Sequence, residues 1–215
     1  MDGSTSRSLS IVTPSETNLT STVLDPGQRV LLLTAANTGS GTSTSALAFA
    51  KQLTLMSGGS VLLVDSSPTS NSLTQQMGLH KLRGFRDLLF DQDSPASLQD
   101  CIVRLSDQPF DVLPCGQLQR GNERPNPERL RTLLASLRNQ YRFVVIDGEA
   151  IYSSADSLVI GTLVDGVILV VTAEDTRWEV AQAAAQRLTQ AGATLIGSVF
   201  NRRKYYMPKW LYKNL

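Results

Sequence analysis

From Arg29 onward the chain repeats one pattern: a short unbroken apolar run, a polar or Gly-rich break, then a stretch with apolar positions at helical spacing. The runs RVLLLT (29–34), VLLV (61–64), FDVL (110–113, closed by Pro114), FVVI (143–146), GVILVV (166–171) and Leu195–Phe200 predict strands. Their core is continuously apolar rather than alternating, the pattern of strands covered on both faces. Helices are predicted between them. One covers Thr44–Met56 and is stopped by Ser57-Gly58-Gly59, and a second covers Leu82–Phe90. A third opens at Asn126-Pro127 and runs to about Asn139, a fourth covers Ser154–Leu163, and a fifth covers Arg177–Ala191, stopped by Gly192. Strand and helix alternate throughout. The fold class is therefore α/β, a doubly wound and mainly parallel sheet with helices on both faces. Residues 1–27 are rich in Ser, Thr and Pro with little periodicity and predict a flexible arm. The domain then spans 28–204, and 205–215 forms a basic, aromatic tail.

In sheets of this kind ligands bind beyond the carboxyl ends of the strands. That directs attention to the 35–44 loop, to Asp65 after VLLV, to Asp147 after FVVI, and to the residues after Phe200. The loop TAANTGSGTST has the small residues that let backbone N–H groups converge on phosphate, and a helix follows at once. A working phosphate loop also needs a lysine for the terminal phosphates and a hydroxyl for magnesium. Gly39 and Gly41 are in place, Ser43 stands where the hydroxyl belongs, and Thr42 stands where the lysine belongs. No lysine occurs from Leu31 to Ala50. A plain strand–turn–helix connection has much the same composition. The two strand-terminal carboxylates make the difference, because one such Asp can hold magnesium through water while another orients an attacking group. Either could instead cap the next helix.

Composition narrows the classes further. The 215 residues, 41% of them hydrophobic, suffice for one substantial core. A net charge of +1 argues against a general nucleic-acid binder. No apolar run is long enough to span a bilayer, and the polar N-terminal segment is not of the secretory type. Cys101 and Cys115 lack zinc-site spacing and read as buried thiols of a reduced, cytoplasmic protein. His80 has no partner at a recognisable spacing and reads as structural, and Glu123–Glu128 reads as solvated surface.

Taken together, TAANTGSGTST, VLLVDSSPTSNSL, FVVIDGEA and SADSLVIGTLVDGVILVV resemble the bacterial tyrosine kinases of capsule and exopolysaccharide synthesis, a branch of the partition and division-site ATPase class of P-loop proteins. VLPCG (112–116), PNPERL (125–130) and GSVFNRR (197–203) add smaller echoes. The resemblance implies ATP or ADP with magnesium. It places phosphate contacts at Gly39, Gly41, Thr42, Ser43 and Thr44, metal contacts at Ser43, Asp65 and Asp147, an adenine contact at Asn201, and acceptor tyrosines at Tyr205, Tyr206 and Tyr212. The departures are specific. The family's loop resembles PGEGKST, here TGSGTST; a lysine that the wider class can carry early in the loop is Ala36 here. Its DxDxR retains only Asp65, with Ser67 and Thr69 in the other places; its Thr-Pro-Pro after Asp147 is Gly-Glu-Ala; and its ExxRxxR arm segment is missing from 1–28. The expectation is a catalytically impaired relative that binds nucleotide weakly or not at all. It would serve beside a membrane polysaccharide copolymerase, with homo-oligomers conceivable and no nucleic acid. Tail residues Arg202, Arg203, Lys204, Lys209 and Lys213, with Trp210, suit peripheral membrane contact, or a terminal helix packs Trp210, Leu211 and Leu215 on the domain. The alternatives are an active, atypical tyrosine autokinase in which Arg83, Arg86, Arg202 or Arg203 replaces the lysine, and a non-kinase positioning ATPase.

Overall fold

The apolar runs pair side by side in one sheet. The computed structural model describes residues 11–12, 24–25, 27–91, 97–117, 125–173 and 176–201. The strands are β1 (Ile11–Val12), β2 (Val30–Ala35), β3 (Val61–Asp65), β4 (Val103–Arg104), β5 (Asp111–Leu113), β6 (Phe143–Asp147), β7 (Gly166–Thr172) and β8 (Leu195–Asn201). Their order is β1-β8-β7-β2-β6-β3-β5-β4, with every pairing parallel except β4 with β5. The helices are α1 (Thr42–Ser57), α2 (Leu73–Gln76), α3 (Phe85–Phe90), α4 (Leu98–Cys101), α5 (Pro127–Gln140), α6 (Asp156–Gly161) and α7 (Trp178–Gln190).

Although the strands read as unbroken apolar runs, their side chains still alternate between two cores. Val30, Leu32, Leu62, Val64, Val144 and Ile146 face α5 and the packed helices beside it. Leu31, Leu33, Leu63 and Val145 face α1, through Ala46, Phe49, Ala50 and Leu53. Burying each large aliphatic side chain is worth roughly 1.5–3 kcal/mol, so both faces must be covered before the sheet is stable. The helices on both faces supply that cover.

Several elements differ from the sequence expectation. Two four-residue helices, α2 and α4, and the antiparallel edge strand β4 were not foreseen. The 82–90 helix begins only at Phe85: the amides of Phe85 and Arg86 are taken by the carbonyls of Pro114 and Cys115, which ties this helix to the end of β5. The 154–163 helix shrinks to α6, Asp156–Gly161. Within the arm, Ile11–Val12 pairs in parallel with Ser198–Val199 of β8, a sheet contact that a structureless arm would not make. The tail 205–215, with Tyr205, Tyr206 and Tyr212, lies outside the described residues, as do Arg202 and Arg203.

The chain reverses direction at β2. From β2 it passes through α1 to β3 on one side; after β6 it passes through α6 to β7 on the other. The crevice above the carboxyl end of β2 is thus the ligand position for this topology.

Candidate functional site at the end of the central strand

The loop after β2 is shaped by two residues in the left-handed region, Gly39 (φ 79°) and Gly41 (φ 80°). At Gly41 a side chain is excluded twice over. The backbone is left-handed, and a Cβ would fall 1.8 Å from Nδ2 of Asn201. Asn201, at the end of β8, donates from that nitrogen to the carbonyl of Ser40 at 3.0 Å and so ties the loop to the far side of the crevice. The helix α1 opens directly from Gly41, which accepts from the Ser45 amide at 3.0 Å. Its first turn carries no side-chain cap and no acid. The leading amides of a 16-residue helix therefore face the crevice with their dipole uncompensated, an arrangement suited to an anion.

Asp65 and Asp147 are register partners on the adjacent strands β3 and β6, and both are buried. Asp65 is fully engaged: it accepts from the Ser67 amide at 3.0 Å and from the Thr74 amide at 2.7 Å. Burial raises its pKa despite those bonds. Asp147 has neither carboxylate oxygen within hydrogen-bonding geometry of a partner. Ser43 is the hydroxyl that faces it. Burial, and then the charge of Asp65, push the Asp147 carboxyl up to about 8. An orphaned carboxylate opposite a hydroxyl fits a hard divalent cation such as magnesium.

These elements enclose a cleft of about 370 Å³. Gly39, Gly41, Thr42, Ser43 and Thr44 line it, as the sequence anticipates, with Ser67 and Thr69 opposite. The Ser67 and Thr69 hydroxyls are hydrogen-bonded to each other at 3.1 Å. Among its described lining residues there is no lysine or arginine, and one charged side chain, Glu149. Sequence reading did not select Glu149. It arrives because the loop after β6 is laced over β2: Gly148 donates to Leu33 at 2.9 Å, Ile151 donates to Ala35 at 2.8 Å, and the Glu149 carbonyl accepts from the hydroxyls of Thr34 and Ser157, both at 2.7 Å. Gly148 permits that crossing, since a Cβ there would meet Leu32 at 2.7 Å. The only advance signal was Gly-Glu-Ala in place of Thr-Pro-Pro.

Of the arginines considered as replacements for the lysine, the two that are described, Arg83 and Arg86, do not line the cleft. Arg83 pairs with Asp91 at 2.5 Å, and buried Arg86 pairs with Asp156 at 3.4 Å while lying over the Phe90 ring. Cys101 and Cys115 are buried free thiols, as expected, and burial pushes both pKa values up. His80, expected to be structural, is instead exposed and lines a second, larger cleft beside the first.

A parallel sheet with a Gly-rich loop opening the first helix, above a crevice with two strand-end carboxylates, defines the P-loop nucleotide-binding class. The chain is 31% identical to the kinase domain of VpsO, superposes on it with a TM-score of 0.71, and covers 86% of that domain with 82% of its own length. It is 26% identical over 198 residues to the tyrosine-protein kinase YwqD of Bacillus subtilis, spanning 87% of this chain and 78% of the relative. The septum site-determining protein MinD of Pyrococcus horikoshii, complexed with Mg-ADP, shares the fold at a TM-score of 0.64 and 20% identity, covering 87% of this chain and 76% of MinD. No protein-family model matches the chain. The protein belongs to the bacterial tyrosine-kinase family of P-loop proteins.

Proposed function

We propose that this protein is a catalytically impaired member of that family, acting as a regulatory or assembly component of bacterial exopolysaccharide synthesis and export. The observation that supports it is the charge of the cleft. Thr42 stands at the first turn of α1, the described lining carries no cation, and Glu149 contributes an acid. Phosphoryl transfer depends on positioning and on charge stabilisation of the transferring group. A charge-assisted contact is worth ~1.5–3 kcal/mol, so the missing lysine alone weakens terminal-phosphate binding by roughly 10- to 150-fold.

Ser43 and Asp147 would hold magnesium, with Asp65 as a neighbouring charge committed to the backbone. Bound magnesium would neutralise phosphate charge. The amides of the Gly39–Gly41 loop and of the first turn of α1 would bind phosphate oxygens, and Asn201 would stand at the base. Asp147 must lose its proton to serve as a ligand, so metal binding competes with protonation near neutral pH. The partner in this reading is a membrane polysaccharide copolymerase, met through the nucleotide face and the basic segment 205–215 at the inner face of the membrane. Among the described residues no helix is long and apolar enough to cross a membrane.

Calorimetric titration with ADP and ATP, with and without magnesium, tests the reading alongside a phosphotyrosine assay of the full chain. The expected Kd is on the order of tens of micromolar or weaker, with no phosphotyrosine formed. Submicromolar Mg-ATP affinity with autophosphorylation would overturn it in favour of an active autokinase.

A further inference from the structure

Beside the nucleotide cleft, above the ends of β3 and β5, lies a wider one of about 730 Å³. The two share Ser67, Thr69 and Ser70 as a common wall. Their charges are opposite. The nucleotide cleft has Glu149 and no base among its described lining; the wider cleft has His80 and Lys81 and no acid among its own. The rest of its lining is mainly hydroxyl and amide, including Gln75 and Gln117, with Pro68 and Cys115 as apolar members, and no Phe, Tyr or Trp lines it.

The walls are built rather than incidental. The Cys115 amide donates to the Thr74 hydroxyl at 2.7 Å, which fixes the floor between β5 and α2. The Gln117 side chain donates to the Lys81 carbonyl and joins the two sides of the mouth. Behind the wall, buried Asp87 accepts from the amides of Gly84 at 2.7 Å and Gln117 at 3.0 Å. Gly116 is left-handed there, and a Cβ would sit 2.1 Å from that carboxylate, so the turn presenting Gln117 is held in one shape.

We propose that this second cleft binds a sugar phosphate. Lys81 and His80 supply the charge and hydrogen bonds for a phosphate monoester. The Ser, Thr and Gln lining matches a hydroxyl-rich body, and it offers no Phe, Tyr or Trp to stack on an aromatic one. The volume falls within the usual range for small-ligand sites. Binding there does not require nucleotide in the first cleft, so its failure and the failure of the proposed function are separate events.

The test is protein-observed NMR titration of the full chain with glucose 1-phosphate, O-phospho-L-tyrosine and inorganic phosphate. Glucose 1-phosphate is expected to bind most tightly and to shift the amides of Ser70, Gly116 and Gln117. Lys81→Glu is expected to weaken it by about tenfold or more and His80→Ala severalfold. Both side chains are exposed, so folding is preserved. Thr42→Asp, in the first cleft, should leave the affinity unchanged. The inference is overturned if no probe binds at tens of millimolar, if Lys81→Glu has no effect, or if the shifts map to Thr42–Thr44. Equal affinity for inorganic phosphate would remove the sugar from the proposal, and tighter binding of O-phospho-L-tyrosine would replace the sugar phosphate with a phosphorylated protein side chain.

Discussion

Asp65 and Asp147 end near-identical strands, VLLVD and FVVID, and sit side by side in register, yet their surroundings have opposite consequences. After β3 the chain turns back on itself, so the amides of Ser67 and of Thr74, nine residues after Asp65, both return to Asp65. After β6 the chain instead crosses over β2, its Gly148 amide bonds to Leu33, and the following amides are carried away from Asp147. One carboxylate becomes part of the scaffold; the other is left buried with no backbone amide on it, only the Ser43 hydroxyl facing it, and a pKa near 8. A strand-terminal aspartate is thus not a functional signal by itself. What distinguishes a ligand from a cap is where the next few amides go.

Breaking the satisfied side has the largest expected effect. Asp65→Ala leaves two amides without their acceptor, at a cost of about 3 kcal/mol, and lowers the Tm by roughly 10 °C in thermal denaturation. Asp65→Asn should recover part of that loss. It should also lower the pH at which Asp147 titrates, because the Asp65 charge contributes to the rise. An unchanged Tm in Asp65→Ala would mean that the turn after β3 holds itself.

The orphaned side should respond with the opposite sign. Because the folded pKa of Asp147 lies above its unfolded value near 4, the folded state holds this proton more tightly. The associated stability is complete below about pH 4 and is lost as the pH rises toward about 8. Asp147→Asn removes that loss. It is expected to stabilise the protein by on the order of 2 kcal/mol at pH 8, about 5 °C in Tm, and to flatten stability against pH between 4 and 8. It should also abolish any magnesium dependence of nucleotide binding. A destabilised Asp147→Asn with an unaltered pH profile would contradict the contrast between the two carboxylates.

Two changes in the cleft sharpen it at smaller scale. Thr42→Lys returns a cation to the first turn of α1. It should strengthen ADP and ATP binding by ~1.5 kcal/mol, about tenfold by calorimetry, without producing phosphotyrosine, since Ser67 and Thr69 remain as they are. Glu149→Gln removes the acid and should strengthen Mg-ATP binding only a fewfold, well under ~1 kcal/mol, more at low salt than at high.

The layered architecture was legible because its cause is local. Continuous apolar runs of four or more residues in β2, β3, β6 and β7 are buried on both faces, and helical stretches between the strands end at Gly58 and Gly192. The Gly-rich turn was legible too, because left-handed backbone at Gly39 and Gly41 leaves a mark in residue type. The short helices α2 and α4 left none. Four residues cannot sustain a helix alone, and α2 is held by the Ser72 cap and by Asp65, which binds its Thr74 amide from the end of β3.

What the amino-acid sequence determined by itself was the class of fold, the position of the loop and the absence of a lysine from it. Each of these is written in consecutive residues. Tertiary structure alone decided that Asp147 is left without a backbone donor while Asp65 is not, that Glu149 is the charge lining the cleft beside the Gly-rich loop, and that His80, Lys81 and Gln117 meet across a second one. The physical reason is the same in each case. The charge and hydrogen bonding at a strand end depend on chain segments that return from tens of residues away, and in a parallel sheet it is the order of the strands that determines which segments meet.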